Sequence, residues 1–161
     1  MLKYLGASRQ KMDDRGRFHL PVRWSESVAE AGEMVLTAGP RGSLLLLERE
    51  VWEETAGRVG LDILAGSERR WLRELFIGHA ETVSADKNGR VLIAEALRNY
   101  AGLGDTNHVF LLGTGNAIEI WSQAKWDEEA EAARAAQQLF DLREDPGSAS
   151  ATQTPEAAPT A

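Results

Sequence analysis

The apolar positions fall into short clusters separated by turn-forming residues, not into long helical stripes. Clusters at 33–37, 43–47, 108–112 and 117–121 are rich in Val, Leu, Ile and aromatic residues and predict strands. Gly39, Pro40 and Gly42 separate the first two, and Gly113, Gly115 and Asn116 the second two, so each pair predicts a hairpin. Leu44, Leu45, Leu46 and Leu47 do not alternate with polar residues, which predicts a strand buried on both faces. Extended segments at 4–12 and 81–85 run into turns, and short strands at 17–20 and 90–93 follow. A helix over 22–31 opens at Pro21, whose fixed φ suits a helix start, and another covers 95–101. Gly32 and Gly102 come next, where helices commonly end in the left-handed conformation. Further helices open near Arg49 and Ser122. Between them, Ser67 reads as a cap, and Trp71, Leu72, Leu75 and Phe76 share one helical face.

These elements repeat. Asp13-Asp14-Arg15-Gly16-Arg17-Phe18-His19-Leu20 aligns with Asp86-Lys87-Asn88-Gly89-Arg90-Val91-Leu92-Ile93 at an offset of 73 residues. The hairpin strands, and Trp52-Glu53-Glu54 against Trp126-Asp127-Glu128, align at an offset of 74. Blocks that recur in one order define two copies of a β-β-α-β-β-α unit. The expected organisation is a first module over 1–56, a bridging helix over 57–77, a second module over 78–130, a C-terminal helix over 131–143 and a disordered tail over 144–161. The tail is rich in Ala, Thr, Ser and Pro and has nothing to bury.

Composition narrows the classes. Apolar residues make up 43% of the 161 positions, enough for a packed interior. The absence of cysteine removes disulfides, thiolate metal sites and a cysteine nucleophile together. Residues 1–6 lack the apolar stretch of an export signal and the Leu44–Leu47 run is far too short for a bilayer, so a soluble, cytoplasmic protein without a membrane partner is expected. Net charge is -7, yet it is unevenly spread. Residues 1–23 hold six basic and two acidic side chains, whereas 127–161 hold two basic and eight acidic ones. A local basic surface can therefore steer nucleic acid although the whole chain is acidic.

The distinctive chemistry lies in the twice-repeated Asp-x-x-Gly-Arg. Gly16 and Gly89 can take a left-handed turn that fixes the following Arg17 and Arg90 in place. A guanidinium is a planar fork suited to guanine O6/N7 or to phosphate. Asp13 and Asp86, four residues earlier, are placed to accept hydrogen bonds from the turn or to orient the arginine. Turn geometry alone does not require arginine after glycine in both copies. Lys11 and Arg15 add charge beside the first turn, and Lys87 beside the second.

With these motifs in view, the chain resembles the MraZ family. Asp13 to Pro21 resembles its Asp-x-Lys-Gly-Arg-hydrophobic-x-hydrophobic-Pro signature, and Asp86 to Ile93 resembles the second copy. The Trp52 and Trp126 regions, Ala101-Gly102-Leu103 and Glu119-Ile120-Trp121 also fit, so the resemblance covers roughly residues 1–131. It implies a mainly β, α+β fold of two tandem swapped-hairpin AbrB-like modules, a double-psi-barrel-like pseudo-dimer. It also implies a transcriptional regulator of the division and cell wall cluster, nucleoid-associated, assembling into rings and binding DNA through these motifs. By the resemblance, Asp13, Arg15, Gly16, Arg17, Asp86, Gly89 and Arg90 inherit that role. Two departures bear on the second copy: Asn88 stands at the motif lysine, and Ala94 at the proline.

Other chemistry finds little footing. His19, His79 and His108 lack metal-ligand spacing, no nucleophile elbow, phosphate loop or zinc-protease helix occurs, and no cofactor or enzymatic role is expected. Two functions remain. The first is sequence-specific binding of double-stranded DNA at promoter direct repeats by a homo-oligomer. The second is an antitoxin-like protein-interaction module using the acidic tail, against which the tandem arrangement speaks.

Overall fold

The structure, a computed structural model, describes residues 2–59, 70 and 72–144. The expected Ser67 cap, Trp71 and the tail beyond Glu144 lie outside these residues. Among the described residues the chain runs β1 (Tyr4–Lys11), β2 (Arg17–His19), α1 (Val22–Ala31), β3 (Met34–Ala38), β4 (Leu44–Glu48), α2 (Arg49–Val59), a π-helical turn (Leu72–Ile77), β5 (Glu81–Val83), β6 (Arg90–Leu92), α3 (Glu95–Tyr100), β7 (His108–Gly115), β8 (Ala117–Trp121) and α4 (Gln123–Glu144). The fold is α+β and mainly antiparallel sheet. It divides into two units, Met1–Trp126 and Asp127–Ala161; the strands all belong to the first.

The pairing interleaves the two sequence copies. One six-stranded sheet has the order β1-β7-β8-β4-β3-β5, and β2 pairs with β6 in a separate two-stranded ribbon. Exchanging each strand for its repeat equivalent (β1 for β5, β2 for β6, β3 for β7, β4 for β8) reverses the order of the large sheet and leaves it unchanged. The two copies are thus related by an internal pseudo-two-fold. It passes between β4 and β8, where Leu45 faces Glu119, and through the ribbon, where Phe18 faces Val91.

This arrangement decides which residues form the core. Phe18, Leu36, Leu46 and Trp24 of the first copy and Val91, Leu111, Ile120 and Leu97 of the second lie in a single buried cluster. Each such side chain contributes roughly 1.5–3 kcal/mol when fully withdrawn from water. The leucine run behaves as its lack of alternation predicts. Leu44 and Leu46 enter the main cluster, while Leu47 joins Phe76 and Ala117 on the opposite face, with Leu45 packed alongside.

Helix and strand bounds match the sequence pattern to within one to three residues, and two differences have clear causes. β7 reaches Gly115, beyond the predicted end at 112, because all eight residues of β1 pair along it, Tyr4 opposite Gly115. The 72–77 segment winds as a π-turn, not as the predicted α-helix, with the Gly78 amide donating to the Arg73 carbonyl at 3.0 Å. Within it the Leu75 carbonyl still accepts from the His79 amide at 3.2 Å, and the Phe76 carbonyl turns to side-chain donors. The buried Thr37 hydroxyl donates to both, at 3.2 and 2.8 Å, and Trp52 Nε1 donates to Phe76 at 3.2 Å. Phe76 is thereby held in the second cluster.

Where the two copies cross, each turn is clasped by the other copy. The Ile93 amide donates to the Gly16 carbonyl at 2.9 Å, and the equivalent Leu20 amide to Gly89 at 3.2 Å. Both glycines have left-handed φ, 88° and 73°. Their surroundings differ, since a Cβ on Gly16 would lie 2.7 Å from the Ile93 carbonyl oxygen, whereas one on Gly89 meets nothing within 4 Å. Gly89→Ala should cost only the left-handed strain, about 1–2 kcal/mol. Gly16→Ala must also push backbone apart and should lower the thermal midpoint distinctly more. Equal shifts in calorimetry would contradict this account of the crossing.

Candidate nucleic-acid interface

The Asp-x-x-Gly-Arg sequence builds its turn from its own side chain. The Gly16 amide donates to the Asp13 carbonyl at 3.0 Å and the Gly89 amide to Asp86 at 3.0 Å, closing a β-turn in each copy. Asp13 Oδ1 accepts from the amides of Arg15 (3.0 Å) and Arg17 (2.9 Å), the Asx geometry that aspartate favours. Asp86 Oδ1 accepts from Asn88 and Arg90, both at 2.9 Å. The other carboxylate oxygen takes the arginine: Arg17 Nε donates to Asp13 Oδ2 at 2.7 Å and Arg90 Nε to Asp86 Oδ2 at 2.8 Å. One aspartate thus fixes both the turn and the direction of the guanidinium. Asn88 serves the second turn as well as Arg15 serves the first, because only its backbone amide is used.

Such partly exposed ion pairs contribute little stability, about 0–1 kcal/mol. Their consequence is orientation. With Nε held by aspartate, the two terminal nitrogens of each arginine have no partner among the described residues and remain available to an acceptor outside. Both aspartates are held below the ordinary carboxylate value. The main cause is the hydrogen bond from the backbone amide of Arg17 or Arg90, reinforced by the arginine side chain and by the amide of Arg15 or Asn88, with desolvation opposing.

The ribbon brings the two turns together. Phe18 and Val91 point into the core, so alternation turns Arg17, His19, Arg90 and Leu92 outward. Arg17 pairs across the strands with Leu92, and His19 with Arg90. Of the sequence-predicted residues, Lys11, Asp13, Arg17 and Arg90 line one groove together with Met12 and His19. Arg15 is exposed at the tip of the first turn and Gly16 is buried beneath it. Asp86, Lys87 and Gly89 instead line a separate hollow with Ser25, Glu26 and Ala29 of α1. Two neighbours were not picked out from sequence. His19 lacks metal-ligand spacing, yet its place two residues after Arg17 on a strand puts it on the same face. Arg98 packs its side chain against the Gly16 turn, and its buried Nε has no hydrogen-bond partner; no sequence signal marks it.

An exposed two-stranded ribbon bearing two locked guanidinium groups is a shape that the major groove of DNA admits, and arginine is the side chain best matched to its guanine edge. Among the described residues no helix is long and apolar enough to cross a membrane, and no group of three or more metal-ligating side chains gathers. Fold and site define the class: an α+β protein of two interleaved copies whose crossing strands carry a doubled, aspartate-locked arginine turn. The family model for MraZ protein, whose description likens it to antitoxins, matches residues 76–143. Proteins named transcriptional regulator MraZ are similar along most of their length. That of Nitrosomonas europaea is 33% identical over 132 residues, covering 81% of this chain and 88% of its own. That of Roseiflexus castenholzii is 34% identical over 145 residues (87% and 99%), and that of Delftia acidovorans 36% over 137 residues (84% and 92%). The chain belongs to the MraZ family.

A carboxyl whose folded value is depressed stabilises its surroundings fully above its ordinary value, 3.8 for aspartate, and loses that contribution as pH falls through the folded value. Carboxyl resonances of Asp13 and Asp86 should accordingly titrate below 3.8, with the turns loosening only in more acidic solution. Arg17→Ala should move the Asp13 midpoint upward and leave Asp86 in place. Ordinary midpoints for both aspartates in the wild type would show that the turns are not locked in solution.

Proposed function

We propose that this protein is a DNA-binding transcriptional regulator without catalytic activity, and that the β2–β6 ribbon is its reading head. The observation that carries the proposal is the matched pair of turns, in which each aspartate spends one oxygen on the backbone and the other on an arginine Nε, aiming both guanidiniums out of one ribbon face. The names of its relatives support the regulatory role. Arg17 and Arg90 take acceptors on base edges or phosphates, Lys11 and Arg15 add phosphate contacts near the first turn, and Lys87 adds charge at the second.

The energetics favour a repetitive assembly. One well-placed bidentate arginine gives about 1–3 kcal/mol of base discrimination. Specific recognition needs roughly 4–10 kcal/mol over non-specific binding. A single ribbon with two arginines reaches the lower part of that range at best. A homo-oligomer that presents several ribbons to spaced promoter direct repeats closes the difference through effective concentration. This agrees with the ring and with the division and cell wall target genes that the family resemblance implies.

Fluorescence anisotropy on a fragment from upstream of the protein's own gene, against a scrambled fragment, tests the proposal. The wild type should prefer the upstream fragment, with log K falling by about 0.9 per phosphate neutralised for each decade of salt. Arg17→Ala plus Arg90→Ala should abolish the preference while the protein stays folded. Singly, Arg17→Ala should weaken binding more, because its turn has two further cations nearby, Arg15 and Lys11, whereas the second has Lys87 alone, with Asn88 at the motif lysine. A double variant that keeps the preference would make the turns purely structural.

A further inference from the structure

The outward face of the ribbon holds four side chains in two cross-strand pairs, Arg17 with Leu92 and His19 with Arg90. The internal two-fold exchanges Arg17 with Arg90 and position 19 with position 92. The arginines obey that symmetry and the other two residues break it. A polar, aromatic histidine occupies one position, and the other holds a leucine that remains 49% exposed. Single exposed leucines are ordinary on protein surfaces. This one differs in its seat, because it stands directly across the strand from an arginine whose guanidinium is already committed to point outward.

We propose that Leu92 is a specificity-determining residue of the reading head that packs against the C5-methyl group of a thymine. The inference rests on the ribbon being the DNA-reading element. When the ribbon lies in the major groove, the side chains of that face meet base edges. The one apolar feature a base edge presents there is the thymine methyl, which apolar side chains contact. Cross-strand neighbours on one face are about 4.5–5.5 Å apart, so Leu92 and Arg17 meet the same or adjacent base pairs, and the read step combines a thymine with the acceptor taken by Arg17. At the symmetry-related place His19 offers ring nitrogens and has no methyl to prefer. The ribbon therefore reads its site in one direction, and a row of ribbons with one polarity matches direct repeats better than palindromes.

Replacing every thymine of the upstream fragment by deoxyuridine removes the methyl groups and leaves base pairing unchanged. Wild-type protein should bind the uracil fragment about fourfold more weakly per contacted methyl, the value of one buried methyl-sized group. Leu92→Ala should bind the thymine fragment correspondingly more weakly and bind the two fragments equally. Leu92 is exposed, so this variant should keep the wild-type thermal midpoint. Wild-type binding that ignores the substitution, or a Leu92→Ala protein that still discriminates, overturns the proposal. A leucine covered by a second copy of the chain would give the second of these results, since its loss would weaken both fragments alike. Failure of the reading head itself appears separately, as no preference for the thymine fragment over its scrambled control, and takes this inference with it.

Discussion

The pairing of β2 with β6 across the internal two-fold is the constraint on which the rest of the molecule depends. Two short strands from different copies lie antiparallel, with Phe18 facing Val91 in the core and with Ile93 and Leu20 donating backbone hydrogen bonds to the turn glycines of the opposite copy. Those bonds fix where each turn sits, and the turns fix where each arginine points. The large sheet is built on the same exchange, with β4 and β8 at its centre and with β1 and β5 each pairing with the other copy's hairpin, β1 along β7 and β5 along β3. Neither copy could bury Phe18, Leu46, Val91 or Ile120 alone, because their neighbours in the cluster come from both. Tandem repetition in one chain makes that exchange intramolecular and removes the concentration dependence of a dimer.

Turn chemistry explains how a short motif can be both scaffold and contact surface. The aspartate carboxylate has two oxygens; one is consumed by backbone amides and the other by an arginine Nε. The second oxygen adds little stability, yet it selects one direction for a side chain with many rotamers. An arginine so held has less rotamer freedom to lose on binding, which favours contact by preorganisation. The net charge of -7 does not oppose this. At physiological salt the field of an exposed charge fades within about 8 Å, so the arginines and lysines around the ribbon set the local potential.

Much of this was legible in the chain. The repeat was visible from Asp13 to Ile93, the left-handed glycines from Asp-x-x-Gly-Arg, and the doubly buried strand from Leu44 to Leu47. Both roles considered for the aspartates, accepting from the turn and orienting the arginine, occur together. What pattern alone did not decide was which strands pair, because β-periodicity specifies faces and not partners. That Arg17 and Arg90 share one face is a consequence of pairing between copies, and so is the position of Arg98 against the Gly16 turn. His19 shows a different gap: a lone histidine carries no signal of its own, and only its parity with Arg17 on β2 gives it a place. The π-turn at Leu72–Ile77 depended on Thr37 and Trp52, distant in sequence, drawing its carbonyls.

The proposed function requires Arg17 and Arg90 to enter the major groove together from a single ribbon. Dimethyl sulfate methylates guanine at N7, a major-groove acceptor of the kind arginine occupies, so protection of N7 reports the contact directly. On the upstream fragment at saturating protein, the account predicts protection of closely spaced guanines. Arg17→Ala should expose some of them and Arg90→Ala their neighbours within the same site. Saturated binding with every guanine N7 still reactive, or protection that neither substitution alters, would contradict it.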